Sequence, residues 1–448
     1  MTRFDQIEHA SLTDVGVRRS HNQDDLAVHL ASDETQWEQR GHLFLVADGM
    51  GAHAVGEKAS EQAASVVPHI YEKHTHEGPA SALRKAFVEA NASIHACGQQ
   101  NREFQGMGTT STALLLRPEG AWIAHVGDSR IYRIRANCIE QLTYDHSLVW
   151  EYARLKKIDP AEVVDIPSNV IHRCLGPEPL VQVDVEGPHI VEPGDTFLIC
   201  SDGLSGQLSD AEMGAIASVL PPAEASRFLV DLANLRGGPD NITVIVVHVG
   251  GNSELNGTAP RRRRQRKREW GRFTWDLLVG KSRFPWPLLC LICGTVLVGN
   301  AILFRQYSDW GAKLAFVTAS AIIIAGLIGL FVHFMQDLSR LGGAAGNPAR
   351  TDPRVHRRTQ CRIDAAFVDK LVKALDLMNH YADERNWEAD RELSSEHRRR
   401  ANDALRRNDL VTAFRELCLA MLPLNRALEK RRQKEEVFQP LWDRPTRA

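Results

Sequence analysis

The sequence has no excess of charge of either sign and no cysteine framework. Its 54 Lys and Arg stand against 56 Asp and Glu, so the chain as a whole is not built to wrap a polyanion, and no nucleic-acid partner is expected. Its cysteines, Cys97, Cys138, Cys174, Cys200, Cys290, Cys293, Cys361 and Cys418, are scattered without a disulfide-like framework. That excludes a disulfide-stapled secreted scaffold and fits a reducing compartment. Cys290 and Cys293 have the spacing of half a zinc site, but the surrounding PLLCLICGTVLV offers no further ligand and reads as small apolar filler. The opening MTRFDQIEHASLTD lacks an apolar core, so the first domain is expected to be made and kept in the cytosol. A hydrophobic share of 43% in 448 residues leaves room for two or three domains.

What is present is a set of acids at strand ends. The apolar run 43–47 reads as a buried strand ending on Asp48-Gly49, with Gly51 and Gly56 close behind. Taken alone, Asp-Gly after such a run is also an ordinary hairpin turn. Further short runs at 110–116, 121–126, 131–135, 196–200 and 242–249 supply more strands, and helices are expected at 56–67 and 81–99, the latter from Leu83, Phe87, Ala90, Ile94 and Cys97 on one face. IAHVGDSR ends on Asp128, FLICSDGL ends on Asp202, and GGPDNITVIVV begins on Asp240. With Asp24 as a further acid, the set looks like an oxygen-ligand cluster for Mg²⁺ or Mn²⁺, because carboxylates gathered this closely repel one another until cations relieve them. Upstream, Arg18, Arg19, Asp24 and Asp25 read either as a solvated turn or as an arginine gripping an oxyanion beside a metal-holding carboxylate.

The ordered motifs Arg19-x-x-Asn22-Gln23-Asp24, VADGMGAHxxGE at 46–57, GTT at 108–110, GDSRIY at 127–132, LTYDHS at 142–147, HRCLG at 172–176, SDGL at 201–204 and DNIT at 240–243 resemble the bacterial metal-dependent protein phosphatases of the type 2C family. The resemblance covers about residues 5–250. It implies an α+β fold, a four-layer α-β-β-α sandwich of two antiparallel sheets flanked by helices, with a centre for two Mn²⁺ or Mg²⁺ ions at one end and a weaker third site. Carried over, Asp48 bridges the two metals and Gly49 lends its carbonyl. Asp202 and Asp240 complete one metal's shell, Asp24 acts through water, and Asp128 joins Asp202 in the third site. Arg19 holds the substrate phosphate. The segment 148–169 falls where the family has a variable flap beside the active site. Ala52 departs from the family pattern without removing a ligand. Gln23 stands where animal relatives have a metal-binding glutamate, which implies a second metal held more by water and less tightly, and Met50 stands where those relatives have an acid-donating histidine. His53 could serve as proton donor or hold a structural hydrogen bond. Phosphorylated proteins are the implied substrates and a Ser/Thr kinase the implied counterpart. A phosphatase fold kept only for binding, as a pseudophosphatase or a membrane-anchored signalling adaptor, is the alternative.

Beyond the phosphatase-like part, 1–252, comes a linker, 253–284, that includes the basic block RRRRQRKR at 261–268. Two apolar spans follow within 285–335, at 286–304 and 314–335, each about long enough to cross a bilayer at about 1.5 Å per residue. Trp286, Tyr307 and Trp310 lie near their ends, and basic residues load both outer flanks while the turn carries only Arg305 and Lys313. The expectation is an inner-membrane hairpin with both flanking parts in the cytosol and the basic block on anionic lipid. Ala321, Ala325 and Gly329 form a small-residue face suited to packing or dimerisation. The remainder, 336–448, reads as a linker and a cytosolic helical tail, with helices around 363–378 and 410–428, suited to interaction or oligomer formation rather than catalysis.

Overall fold

Alternation along one strand sets the layers. In the computed structural model, which describes residues 6–51, 55–100, 102–163, 166–167, 170–250, 318, 320 and 353–437, the chain runs β1 (Ile7–Asp14), β2 (Asp24–His29), α1 (Glu34–Gln39), β3 (His42–Met50), α2 (Val55–Lys73) and α3 (Pro79–Gln100). There follow β4 (Gly108–Thr109), β5 (Ser111–Arg117), β6 (Gly120–Val126), β7 (Arg130–Arg135), β8 (Cys138–Gln141) and α4 (Leu148–Lys156). Next come β9 (Asp184–His189), β10 (Thr196–Cys200), α5 (Asp202–Ser205), α6 (Asp210–Val219), α7 (Pro222–Leu235) and β11 (Ile242–Val249). The tail contributes β12 (Arg357–Gln360), α8 (Ala365–Glu384), α9 (Arg391–Arg406) and α10 (Leu410–Val437).

Leu43, Leu45 and Ala47 of β3 face one way and pack on Ala59, Ala63 and Val67 of α2 and on Phe87 and Ile94 of α3. Phe44 and Val46 face the other way and meet Phe197 and Ile199 of β10 and Ile245 of β11. Burial on both faces is why β3 reads as an unbroken apolar run rather than an alternating one. The strands form two sheets, ordered β1-β11-β10-β7-β8-β12 and β2-β3-β5-β6-β9, with β4 beside β3. Every strand pair is antiparallel. The architecture is the expected sandwich of two antiparallel sheets between helices.

The first sheet's outer face, with Leu198, Val244 and Val246, packs on Ile216 of α6 and Phe228 of α7. That same cluster takes in Leu375, Phe414 and Leu417 of the tail, and Met1–Ser253 and Ala349–Ala448 form one compact unit. Asp364 and Asp390 cap α8 and α9 by accepting from the backbone nitrogens of Phe367 and Leu393. Arg227 of α7 pairs with Glu429 of α10, and Arg358 of β12 with Glu140 of β8.

The inner-membrane placement expected from the sequence is corrected: no helix among the described residues is long and apolar enough to cross a membrane. The long helices are amphipathic instead. In α2, Ala59, Ala63 and Val67 are buried while Glu57, Glu61, His69 and Glu72 face solvent. The apolar spans 286–304 and 314–335 and the basic block 261–268, on which the expectation rested, lie outside the described residues.

Phe44 and Phe414 are fully buried in separate clusters, one between the sheets and one joining the tail to α7. Phe44→Ala and Phe414→Ala should each lower unfolding free energy by about 3 to 5 kcal/mol in chemical denaturation. A near-neutral Phe414→Ala contradicts a shared core.

Candidate metal centre

Strand ends from both sheets converge at one end of the sandwich. Asp24 opens β2 and lies directly across from Asp48 of β3 in the antiparallel register. Asp202 opens the short α5 immediately after β10, Asp240 precedes β11, and Asp128 sits between β6 and β7. The structure thus brings together all five acids singled out in the sequence, close enough for each of four to feel its neighbours.

Burial first, then the charges of Asp24, Asp202, Asp128 and Asp240, push the Asp48 carboxyl well above the usual carboxylate range. Burial likewise dominates at Asp24; with Asp202 and Asp240 it outweighs hydrogen bonds from Ser201 and Thr243 and raises the group to about 7. Asp128 rises to about 8, from burial and the charges of Asp202 and Asp145, against the opposing Arg130. Asp202 is raised by burial and by Asp240. A donor set of carboxylates alone, held too close to ionise together, fits hard divalent cations.

The backbone around the acids is locked so that the carboxylates stay available. Thr110 Oγ1 accepts from Asp48 N (2.9 Å), Thr110 N donates to Asp48 O (2.8 Å), and Thr109 Oγ1 donates to the same carbonyl (2.9 Å). Ser201 Oγ donates to Asp24 Oδ2 at 2.7 Å. At Gly49 an added Cβ would lie 2.1 Å from Gly56 O and 2.4 Å from Gln23 O, so only glycine lets β3 lie against the start of α2. Gly127, at φ +117°, turns the chain into Asp128, and its Cβ position is filled by Thr110.

Arg19 Nη2 donates to Asp240 Oδ2 at 2.8 Å, with side chains 48% and 35% exposed, so the arginine stands at the solvent edge of the cluster. Its loop is pinned by Asn241, whose Nδ2 donates to Val15 O and His21 O and whose Oδ1 accepts from Gln23 N. His53 lies outside the described residues. Thr110, Ser201, Asn241 and the buried Arg130, which grips Asp145 through Nε at 2.8 Å and Nη2 at 2.7 Å, are positioning residues that the sequence reading passed over. The signal for Arg130, Ser201 and Asn241 was adjacency, since each lies inside a motif that carries one of the acids, whereas Thr110 lies in GTT, which carries none.

A tighter group, His74, His76 and Glu77, has ligand atoms within 4.8 Å of one another at the surface. There Lys85 Nζ already holds Glu77 Oε1 at 2.5 Å, which makes it an ion-pair network.

The family described as Protein phosphatase 2C matches residues 17–234. The Serine/threonine phosphatase stp of Listeria monocytogenes serovar 1/2a is 36% identical over 244 residues, 52% of this chain and 93% of that protein. Protein phosphatase PhpP of Streptococcus pneumoniae serotype 2 is 36% identical over 248 residues, 54% of this chain and 97% of that protein. Among solved structures, the serine/threonine phosphatase PstP/Ppp of Mycobacterium tuberculosis is similar with a TM-score of 0.49 at 30% identity, covering 55% of this chain and 99% of that one.

The raised acids predict a pH signature. In metal-free folded protein Asp24 and Asp128 keep protons up to about 7 and about 8, whereas unfolded aspartate releases its proton near about 4. The folded state then binds more protons than the unfolded one, so the stability of chelated protein falls as pH rises from about 4 to about 8. Cations replace those protons, so the melting-temperature gap between manganese-loaded and chelated protein should widen with pH. A gap that stays constant contradicts the cluster's electrostatics.

Proposed function

The chain belongs to the protein phosphatase 2C family, and from that premise we propose that its acid cluster hydrolyses phosphoserine and phosphothreonine esters on proteins with two divalent cations, opposing a Ser/Thr kinase. The observation that carries the reading is the pairing of Asp24 with Asp48 across β2 and β3, with Asp128 and Asp202 both near enough to raise the Asp48 carboxyl. Asp48, central to the mutual repulsion, would hold both ions, with the Gly49 carbonyl as a further ligand beside it. Asp202 and Asp240 would complete the hold on one ion, Asp24 would act through water, and Asp128 with Asp202 would hold a third ion more weakly.

A phosphomonoester carries between about 1.5 and 2 negative charges near neutral pH and repels nucleophiles. Bound Mn²⁺ or Mg²⁺ supplies positive charge and lowers the pKa of water, so that hydroxide is at hand near neutral pH without a strong base. The chain's own contribution is placement. Thr109 and Thr110 fix the Asp48 backbone and Ser201 fixes the Asp24 carboxylate before substrate arrives, so little reorganisation remains for the reaction.

Arg19 holds the phosphate. Its resting partner is Asp240, through a partly exposed ion pair of a kind that contributes only about 0 to 1 kcal/mol. Exchanging that single contact for two parallel N–H bonds to phosphate oxygens is favourable, because a planar fork matches an oxyanion better than one carboxylate oxygen does. Asn241 keeps the loop in place while Arg19 changes partner. Cys200 is fully buried in β10 and burial pushes its thiol up to about 12, so it is a packing residue and no nucleophile.

Purified protein should hydrolyse phosphopeptide in Mn²⁺ or Mg²⁺ and stop on chelation, and Asp48→Asn should remove turnover while the fold survives. Activity that outlasts chelation overturns the reading. Arg19→Ala should raise KM with metal affinity nearly unchanged, and lysine should restore it only in part because it lacks the fork. Normal KM with weakened metal binding would assign Arg19 to the metal shell instead.

A further inference from the structure

The family match ends at residue 234, yet β12 adds a strand from the tail to the first sheet. It pairs with β8 in the register Arg357↔Gln141 to Gln360↔Cys138, and His356 N and Cys361 N extend the ladder to Gln141 O (2.9 Å) and Asn137 O (3.0 Å). Cys361 is buried against Ile139 and Gly214. Four residues reading RRTQ have little strand propensity, so their conformation comes from the β8 edge they complete.

This strand lies at the base of the flap. Both flap roots are bonded beside Asp128: His146 N donates to Gly127 O (2.7 Å), Leu148 N to Val170 O (2.8 Å) and His172 N to His146 O (2.9 Å). From β12, Arg357 places Nη2 at 3.8 Å from Asp159 Oδ1, just past α4, and Nη1 at 3.5 Å from Asp210 Oδ2. Asp210 accepts from Tyr132 Oη (3.0 Å), which in turn accepts from Arg130 Nη1 (3.1 Å), the arginine that grips Asp145 and faces Asp128. Next to it, the His356 ring meets Tyr144 at 5.7 Å, and Tyr144 Oη donates to Trp150 O of α4. The flap, rooted beside Asp128, exposes apolar surface at Tyr152, Leu155 and Ile158.

Resting on the phosphatase reading above, we propose that Arg357 is a specificity-determining positioning residue, supplied by the tail, that holds the flap over the approach to the acid cluster. By bridging Asp159 on the flap and Asp210 on the body, it fixes how the flap's apolar surface meets the polypeptide flanking a phosphorylated residue. A small aryl phosphate needs the acids and Arg19 but has no flanking chain to engage. Selection for polypeptide substrates is therefore written partly in residues beyond the family match.

The test uses the full chain with manganese chloride, a phosphothreonine decapeptide and p-nitrophenyl phosphate. Arg357→Ala should raise the peptide KM about three- to tenfold while kcat/KM for the aryl phosphate stays within about twofold. Arg357→Lys should recover most of the loss, because ion pairs at these distances need charge rather than a fork. Asp159→Asn, at a half-exposed position, should raise the peptide KM similarly, and the double variant should be no worse than either single one. Arg358→Ala, which removes only the pair with Glu140, should change neither substrate. Wild-type peptide kinetics in Arg357→Ala overturn the proposal, as does an Asp159→Asn enzyme that loses both substrates equally or neither. If wild-type protein with manganese hydrolyses neither substrate, the phosphatase reading itself falls.

Discussion

Repulsion among carboxylates that cannot move apart governs this structure. Asp24 and Asp48 face each other because β2 and β3 pair in that register, and the register is set by Phe44, Val46 and their neighbours on the buried faces of β3. Slipping one residue would relieve the acids but turn every core side chain of the strand to the wrong layer. The hydrophobic core therefore holds the charges together, and divalent cations are the ligand that makes the arrangement favourable. Asp128 and Asp202 join from the other strand ends for the same reason: each follows a strand whose place is fixed by packing.

The tail shows a second use of the same sheet. A short β8 would leave an open edge, and β12 closes it, while α8 to α10 add Leu375, Phe414 and Leu417 to the cluster under α6 and α7. Arg227 and Glu429 tie α7 to α10, and Asp231 beside them is pushed up to about 6 by burial, with Glu429 adding to the rise and Arg227 opposing it. The helical tail, read from the sequence as suited to interaction, thus shares a core with the first sheet, α6 and α7.

Much of the site was legible because its chemistry lies at strand ends, where apolar runs stop on an acid beside glycine. Asp48, Asp128, Asp202 and Asp240 announce themselves that way, and β3, β5, β10 and β11 are apolar enough to read as strands without their partners. The elements that escaped are those whose conformation is borrowed. β1, IEHASLTD, is half polar and becomes a strand along β11, and β12 has no apolar residue at all. α9 carries so many charged residues that its buried stripe is only Ser394, Ala401 and Ala404, too small to show as periodicity. Asn241 and Thr110 were hidden for another reason: a polar side chain that fixes a backbone leaves no pattern until the fold shows which backbone it meets. The membrane expectation came from apolar spans read in isolation, and no described helix supports it.

The account turns on one claim, that the five strand-end aspartates are a cradle for cations and not simply a solvated acidic rim. Anomalous diffraction at the manganese edge from crystals grown with Mn²⁺ tests it most directly. The account predicts two strong peaks with Asp48 between them, one of them shared with Asp202 and Asp240. Density confined to the surface group His74, His76 and Glu77, or no ordered peak beside Asp48, would contradict it.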